Sequence, residues 1–516
     1  MLNLKKSVVG IVRGGWLVVA LGLAPAICAE PLNVPPGVAQ LFVGDRLIEK
    51  NLSVVRTLHQ PRKDDDGSKP ILFLENEFNG VPGTLQGGTI VFDRKLGSFV
   101  MFANAGAHLA GHPWDWIRLY RFTSVDGLNW TKGDRGAPEC VFPKSREDFL
   151  DRASGAYATN LDLTTIIYDE RDAQHPYRGW MWFANWGDER EGMYFIQSAD
   201  GHAWERGAKV APMEAFAFET ATHAYQGPYD ATGFTPDPEK HRYIASLKIA
   251  ARNKAGGERY RARAYCEIGA LDQPIAFDRS KLVRLEPTRS QKNGDLPDDE
   301  YYFSDSWRYG SMWLGTLKIH HENTDYPYSK AGCCFLKLIY SYDGLHWSKV
   351  PYPNEGGIPE VFLPNGPEGG NDGRNDGGYI TTFQNGPLRI GDELIYYYAS
   401  SSFGKNHPAP RMLRGGGIFR SRLRVDGFVS VDAGTLVTVP LTTSGQDLFL
   451  NHVGDVSVVL LDKDNTELSQ ATVTGDSLLG RVAFRAGRLG DLTRKEAFKL
   501  KISVPPGSRL YAFQFR

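Results

Sequence analysis

The chain has 516 residues, with 59 Lys and Arg against 60 Asp and Glu, and it is rich in glycine (56) and proline (30). A formal charge of −1 gives no support for a nucleic-acid partner or a membrane surface. The length exceeds one ordinary core and implies two domains, one of them large.

Lys5, Lys6 and Arg13 precede an apolar run over residues 16–26 that ends in small residues. This pattern predicts an export signal over residues 1–29, cleaved after Ala29 and too short to span a bilayer. Pro25, Ala26 and Ile27 fit a lipid-anchor motif before Cys28 poorly. The expected product is secreted or periplasmic, about 487 residues long with a formal charge of −4. Its cysteines, Cys140, Cys266, Cys333 and Cys334, fit no zinc spacing and predict packed free thiols. No metal site and no cofactor motif is found, and no G-x-S-x-G, H-E-x-x-H or phosphate loop occurs.

Residues 41–50, LFVGDRLIEK, read as an early strand. It is expected to pair with strands near residues 390–425 and close a ring, which removes exposed sheet edges.

A repeat then sets the architecture. SVDGLNW starts at Ser124, SADGHAW at Ser198 and SYDGLHW at Ser341, each after a strand-like run. Asp-Gly after a strand predicts a type I′ hairpin turn, with the tryptophan entering the next strand. The first interval is 74 residues and the second 143, about twice 72, so one copy is missing near residue 270. A degenerate copy, IFRSRLRVDGF, follows near residue 413. Five repeats of some 70 residues predict an all-β fold: a five-bladed β-propeller over residues 30–425. After Asp426 tryptophan disappears and short alternating strands follow, predicting a C-terminal β-sandwich over residues 426–516. Phe449, Phe484 and Phe513 in those strands read as core. DKDNTE at Asp462 reads as a plain turn, because Glu467 stands where a calcium loop needs glycine.

In a propeller the innermost strands start around one channel mouth. An acid stands near each expected start: Glu77, Asp162, Asp230, Glu300 (with Asp299 beside it) and Asp376. Their intervals are 85, 68, 70 and 76 residues, in phase with the blades. Cleaving a glycosidic bond needs one carboxyl group to protonate the leaving oxygen and another to attack or activate water. Acids that converge should repel and raise at least one pKa, as a general acid requires. Tyr157, Trp114, Trp116, Trp186, Tyr229, Tyr301 and Trp307 lie in the same segments and offer ring faces for sugars. Arg118, Arg152 and His223 offer hydrogen bonds or an anion contact. Arg118, Tyr157, His223, Tyr229 and Trp307 are the expected substrate-binding residues, and carbohydrate the expected partner.

The hairpins and phased acids resemble the five-bladed propeller glycoside hydrolases, the family 32 and 43 group of invertases, fructanases, arabinanases and xylosidases. LFVGDRLIEK with LHQP, GTLQGGTIVFD and GTLVTVPL…LYAFQF are similar to exported bacterial proteins described as glycosyl hydrolase family 32 N-terminal domain-like. The resemblance implies a glycosidase with Glu77 as base or nucleophile, Asp230 as helper and Glu300 as acid. The sequence lacks the invertase W-x-N-D-P-N-G, R-D-P and E-C motifs. A non-catalytic carbohydrate binder and a glycoside phosphorylase are the alternatives. Cations beside a single carboxylate would favour the phosphorylase, and two facing carboxylates the hydrolase.

Overall fold

The computed structural model describes residues 30–73, 83–107, 116–131, 139–142, 160–184, 190–288, 295–321, 332–354, 360–370, 374–404 and 416–516. The expected export signal, Glu77, Trp114, Arg152, Tyr157 and Trp186 lie outside the described residues.

The described chain is all-β apart from single helical turns. Five antiparallel sheets follow in sequence. Their first strands are Gly83–Asp93, Asn160–Tyr168, His223–Asp237, Asp299–Tyr309 and Thr381–Gln384. Each pairs with a second strand, and those second strands pair with third strands. The five first strands also touch one another in chain order, and the fifth pairs in parallel with the first through Phe383 and Gly88. The cycle therefore closes, leaving no open edge among its first strands.

The centre of the cycle is filled by short polar side chains. Thr89 donates to the Thr164 carbonyl at 2.7 Å, and Gln384 reaches the same carbonyl at 3.1 Å. Thr235 donates to the Ser306 carbonyl at 3.1 Å. Gly233 lets the third strand approach this plug, since an added Cβ would lie 2.6 Å from the Gln384 side chain and 2.7 Å from Thr165.

The S-x-D-G-x-x-W segments join third to fourth strands in the first, second and fourth sheets. They are not type I′ turns. Only the glycines take positive φ: Gly127 at 71°, Gly201 at 75° and Gly344 at 81°. The aspartates act through their side chains, Asp343 accepting from the Leu345 and His346 amides at 2.8 Å. Trp347 donates to the Gly344 carbonyl at 2.8 Å, which fixes the ring at the start of the next strand. Cys140, Cys266, Cys333 and Cys334 are free thiols.

Ring closure differs from expectation. Residues 41–50 do not join the strands near 390–425. Leu41 pairs with Ala512, and Ile48–Leu58 pairs with Val429–Thr438. The last of the five sheets is completed instead by Arg62–Lys63 and Leu72–Phe73, both against Gly416–Arg424. Alternation in 41–50 identifies a strand, but the same pattern suits either partner.

The final sheet has 11 strands, drawing Leu32–Asn33, Gln40–Leu41 and Ile48–Leu58 from the start of the described chain. Phe484 and Phe513 are buried in its core, whereas Phe449 is half-buried with Arg516 over its ring at 5.5 Å. Asp462 accepts from the Asp464 and Thr466 amides, a plain turn.

Candidate functional site

Each of the first four inner strands breaks register near its start: between Leu85 and Gly88, Asp162 and Thr165, Tyr229 and Gly233, and Tyr301 and Phe303. Such bulges bend a strand and re-aim its side chains. Beyond them the strands close on the polar plug. Asp162 and Glu300 stand at or before these breaks and Asp230 within one.

Asp230 and Glu300 are drawn to the buried ring of Tyr302 through their cation partners. The charge on Asp162 is felt by the Tyr302 hydroxyl, which burial already pushes well above its ordinary pKa. Asp230 pairs with Lys248, whose Nζ lies 4.5 Å from the Tyr302 ring centre. Glu300 pairs with Arg261, whose guanidinium lies 5.1 Å from the same ring. Arg261 also donates its backbone amide to Glu300 at 3.1 Å. His320 Nδ1 stands 3.4 Å from Glu300 Oε2, and its ring packs 5.7 Å from Tyr302. Lys318 adds a third cation, 5.3 Å from the Tyr302 ring and 3.4 Å from that of Tyr379.

Repulsion among converging acids predicts a raised pKa, but Glu300 moves the other way. Burial alone would raise it; the His320 hydrogen bond and the Arg261 charge outweigh burial and bring it down to about 2. Asp230 faces Lys248, and Glu300 faces Arg261 and His320, rather than another bare carboxylate.

Asp299 turns to the opposite face, as the strand pleat requires. It meets His321 at 2.9 Å and Lys337 at 3.9 Å, in a buried network with Asp295 and Lys349. Asp376 does not join the Tyr302 cluster. It is fully buried against Lys63 at 2.5 Å and accepts from Tyr398 at 2.8 Å, and burial raises its pKa. It precedes its strand by five residues, so its phase in the sequence does not put it at the equivalent height.

The expected substrate-binding residues scatter. Trp307 stands at the far end of Asp299–Tyr309, seven residues beyond Glu300 and so roughly 23 Å along the strand. It packs on Tyr396 at 6.1 Å and lines a cavity of about 420 Å³ at the opposite end of the inner strands. Tyr301 is buried in the fourth sheet and donates to Asp295. Tyr229 lies next to Asp230 and donates to Glu214 at 2.6 Å, with Arg259 over its ring at 4.7 Å. His223 is half-buried, beside Tyr225 and Tyr260. Arg118 is half-buried opposite Ala105 in the first sheet.

Sequence reasoning missed Tyr302, Lys248, Arg261, Lys318, His320 and Tyr379. A signal was present. Ser246-Leu247-Lys248-Ile249 and Thr316-Leu317-Lys318-Ile319 place a lysine inside an apolar run twice, 70 residues apart. Lys248 is 5% exposed and Lys318 1%. A lysine so deeply buried is rare unless it is paired.

Among the described residues no group of histidines, cysteines and acids could hold a metal ion. No described helix is long and apolar enough to cross a membrane.

No protein-family model matches the sequence, and no curated protein matches it. Solved structures of similar form are glycoside hydrolases and related enzymes. A glycosyl hydrolase from Bacteroides ovatus is 11% identical, covering 71% of this chain and 94% of its own, with a TM-score of 0.44. A glycoside hydrolase family 43 arabinoxylan arabinofuranohydrolase from Bacillus subtilis, in complex with cellotetraose, is 11% identical, covering 87% and 99%, with a TM-score of 0.33. An N-acetylgalactosamine deacetylase from F. plautii, in complex with blood group B trisaccharide, is 10% identical, covering 73% and 96%, with a TM-score of 0.39. At that distance neither a substrate nor a residue's role carries over.

Proposed function

We propose that this chain is a secreted or periplasmic five-bladed β-propeller with a C-terminal β-sandwich, and that it cleaves glycosidic bonds at the Tyr302 cluster. Residues 62–425 form the propeller in this reading. Residues 30–58 belong with residues 428–516, on the strength of their strand pairing. Residues 1–29 are the export signal.

One observation carries the activity: Asp230 and Glu300, from consecutive inner strands, pair with Lys248 and Arg261, and both cations lie over the one buried ring of Tyr302. Hydrolysis requires water to attack the anomeric carbon, the bond to the leaving oxygen to break, and a proton to reach that oxygen. Glu300, held near 2, is ionised at neutral pH and suits the attacking or cation-stabilising role rather than the acid. Proton delivery then falls to another carboxyl group, with Asp162 and Glu77 as the candidates.

Lys248, Arg261, Lys318 and His320 favour a second reading, phosphorolysis, in which a phosphate oxygen attacks in place of water. The test is incubation of the purified chain with a panel of poly- and oligosaccharides, with and without inorganic phosphate, and chromatography of the products. Free sugar independent of phosphate supports the hydrolase. Sugar 1-phosphate formed only with phosphate supports the second reading. Retention of a glycan without any cleavage leaves a binding module and overturns both.

A further inference from the structure

The third sheet carries a basic face. In an antiparallel ladder, directly opposed residues and every second residue share one side. Lys248 opposes Arg263 and Ala250 opposes Arg261. Two positions further on, Arg252 and Arg259 line the same groove of about 470 Å³. Lys248, Arg252, Arg259, Arg261 and Arg263 therefore stand on one face, while Leu247, Ile249, Ala251, Ala262 and Ala264 turn to the other and pack in the core. The groove's floor is low because Ala217, Ala224 and Ala250 lie between the charged positions. Arg252 is exposed, and Arg261, opposite the groove residue Ala250, pairs with Glu300 and lies 5.1 Å from the Tyr302 ring.

Glu219 pairs with Lys254 at 2.5 Å, and Glu214 holds Tyr229 and stands 3.9 Å from Arg259. Asp230 and Glu300 hold Lys248 and Arg261. Arg259 is 54% exposed, so its guanidinium remains open to a ligand.

We propose that the substrate is an anionic glycan, bearing carboxylate or sulfate groups, and that Arg252 and Arg259 bind its acidic groups in this groove. This rests on the carbohydrate reading above. Guanidinium forks match carboxylate and sulfate oxygens in pairs, and the alanine floor leaves room for a sugar ring between them.

The test is affinity electrophoresis of the full chain through polygalacturonate, dextran sulfate, arabinan and dextran. Polygalacturonate and dextran sulfate separate a uronate from a sulfate preference. The expected result is retention by one acidic polymer at least tenfold tighter than by the neutral ones, weakened by salt. Arg252→Gln with Arg259→Gln should lose at least tenfold of that binding. Arg481→Gln with Arg488→Gln, a remote pair around Asp447, should lose none. Equal retention by acidic and neutral polymers, or undiminished binding by the groove variant, overturns the inference. Retention by a neutral polymer alone also overturns it but leaves the carbohydrate reading standing. Retention by none of the four overturns both.

Discussion

Glu300 and His320 occupy opposed positions on neighbouring strands, and the histidine Nδ1 lies 3.4 Å from the carboxylate. Arg261 closes on the same carboxylate from the next sheet. Replacing Glu300 by Gln should therefore lower turnover by about two orders of magnitude or more, the scale of a lost acid–base or charge-stabilising group. It should also reduce stability at neutral pH by roughly 3 kcal/mol, because Arg261 and His320 lose a buried partner. A carboxyl held near 2 contributes stability above its unfolded pKa and loses it as pH falls through 2. The gap between wild type and variant should thus narrow below about pH 4. Urea unfolding at pH 7 and pH 3 measures it, and equal gaps would contradict the pairing.

Asp305 should make the ring pH-sensitive from within. Burial pushes its carboxyl up to about 7, against the pull of the Gly386 and Asn385 amides. The folded chain then keeps a proton that the unfolded chain releases near pH 4. Stability should fall by about 1.4 kcal/mol per pH unit from there to about 7, and level off above. Asp305→Asn should abolish that slope. Melting temperatures of both forms from pH 4.5 to 8 provide the check, and parallel curves would refute it.

Asp376 should prove structural. Lys63→Ala strands its buried carboxylate and should cost about 3–5 kcal/mol, while Lys63→Met with Asp376→Asn should cost less. Asp376→Asn should retain turnover per folded molecule once a substrate is known. Lost turnover in a folded Asp376→Asn protein would return this residue to the site.

Gly233→Ala should destabilise the plug by about 1–3 kcal/mol. The new methyl meets Gln384 and Thr165, both held by hydrogen bonds across the ring. An unchanged urea midpoint would show that the plug yields.

The all-β class and the recurring turns were legible because their signals are local. Asp343 closes its own turn and Trp347 its own hairpin, so four or five residues suffice. Asp162, Asp230 and Glu300 each fall within the first strand of their sheet, a placement legible for the same reason: successive first strands start roughly 60–80 residues apart. Asp376 failed because it lies five residues ahead of its strand, whereas Asp162, Asp230 and Glu300 lie within theirs, and a count of residues does not measure height. Tyr302 was hidden since an aromatic in DEYYFSDSW looks like core. Lys248, Arg261, Lys318 and His320 arrive from second and third strands, whereas the phased acids mark only first strands. Only the two buried lysines marked them. The pairing of 41–50 was the least legible, because alternation specifies which side chains face inward and leaves the partner open.

The strand exchange at the start of the chain constrains the order of folding. Val429–Thr438 has Ile48–Leu58 along one side for most of its length, across nearly the whole chain. A fragment beginning at Asp426 would expose that side as a bare edge, open to pairing with another molecule. The last sheet therefore waits on residues made first, and these must stay unpaired until the five sheets between have been synthesised. Such distant contacts slow folding. A single cut near Gln60 would separate the segment that completes the last sheet from the one that closes the ring, and it tells which of the two is set first.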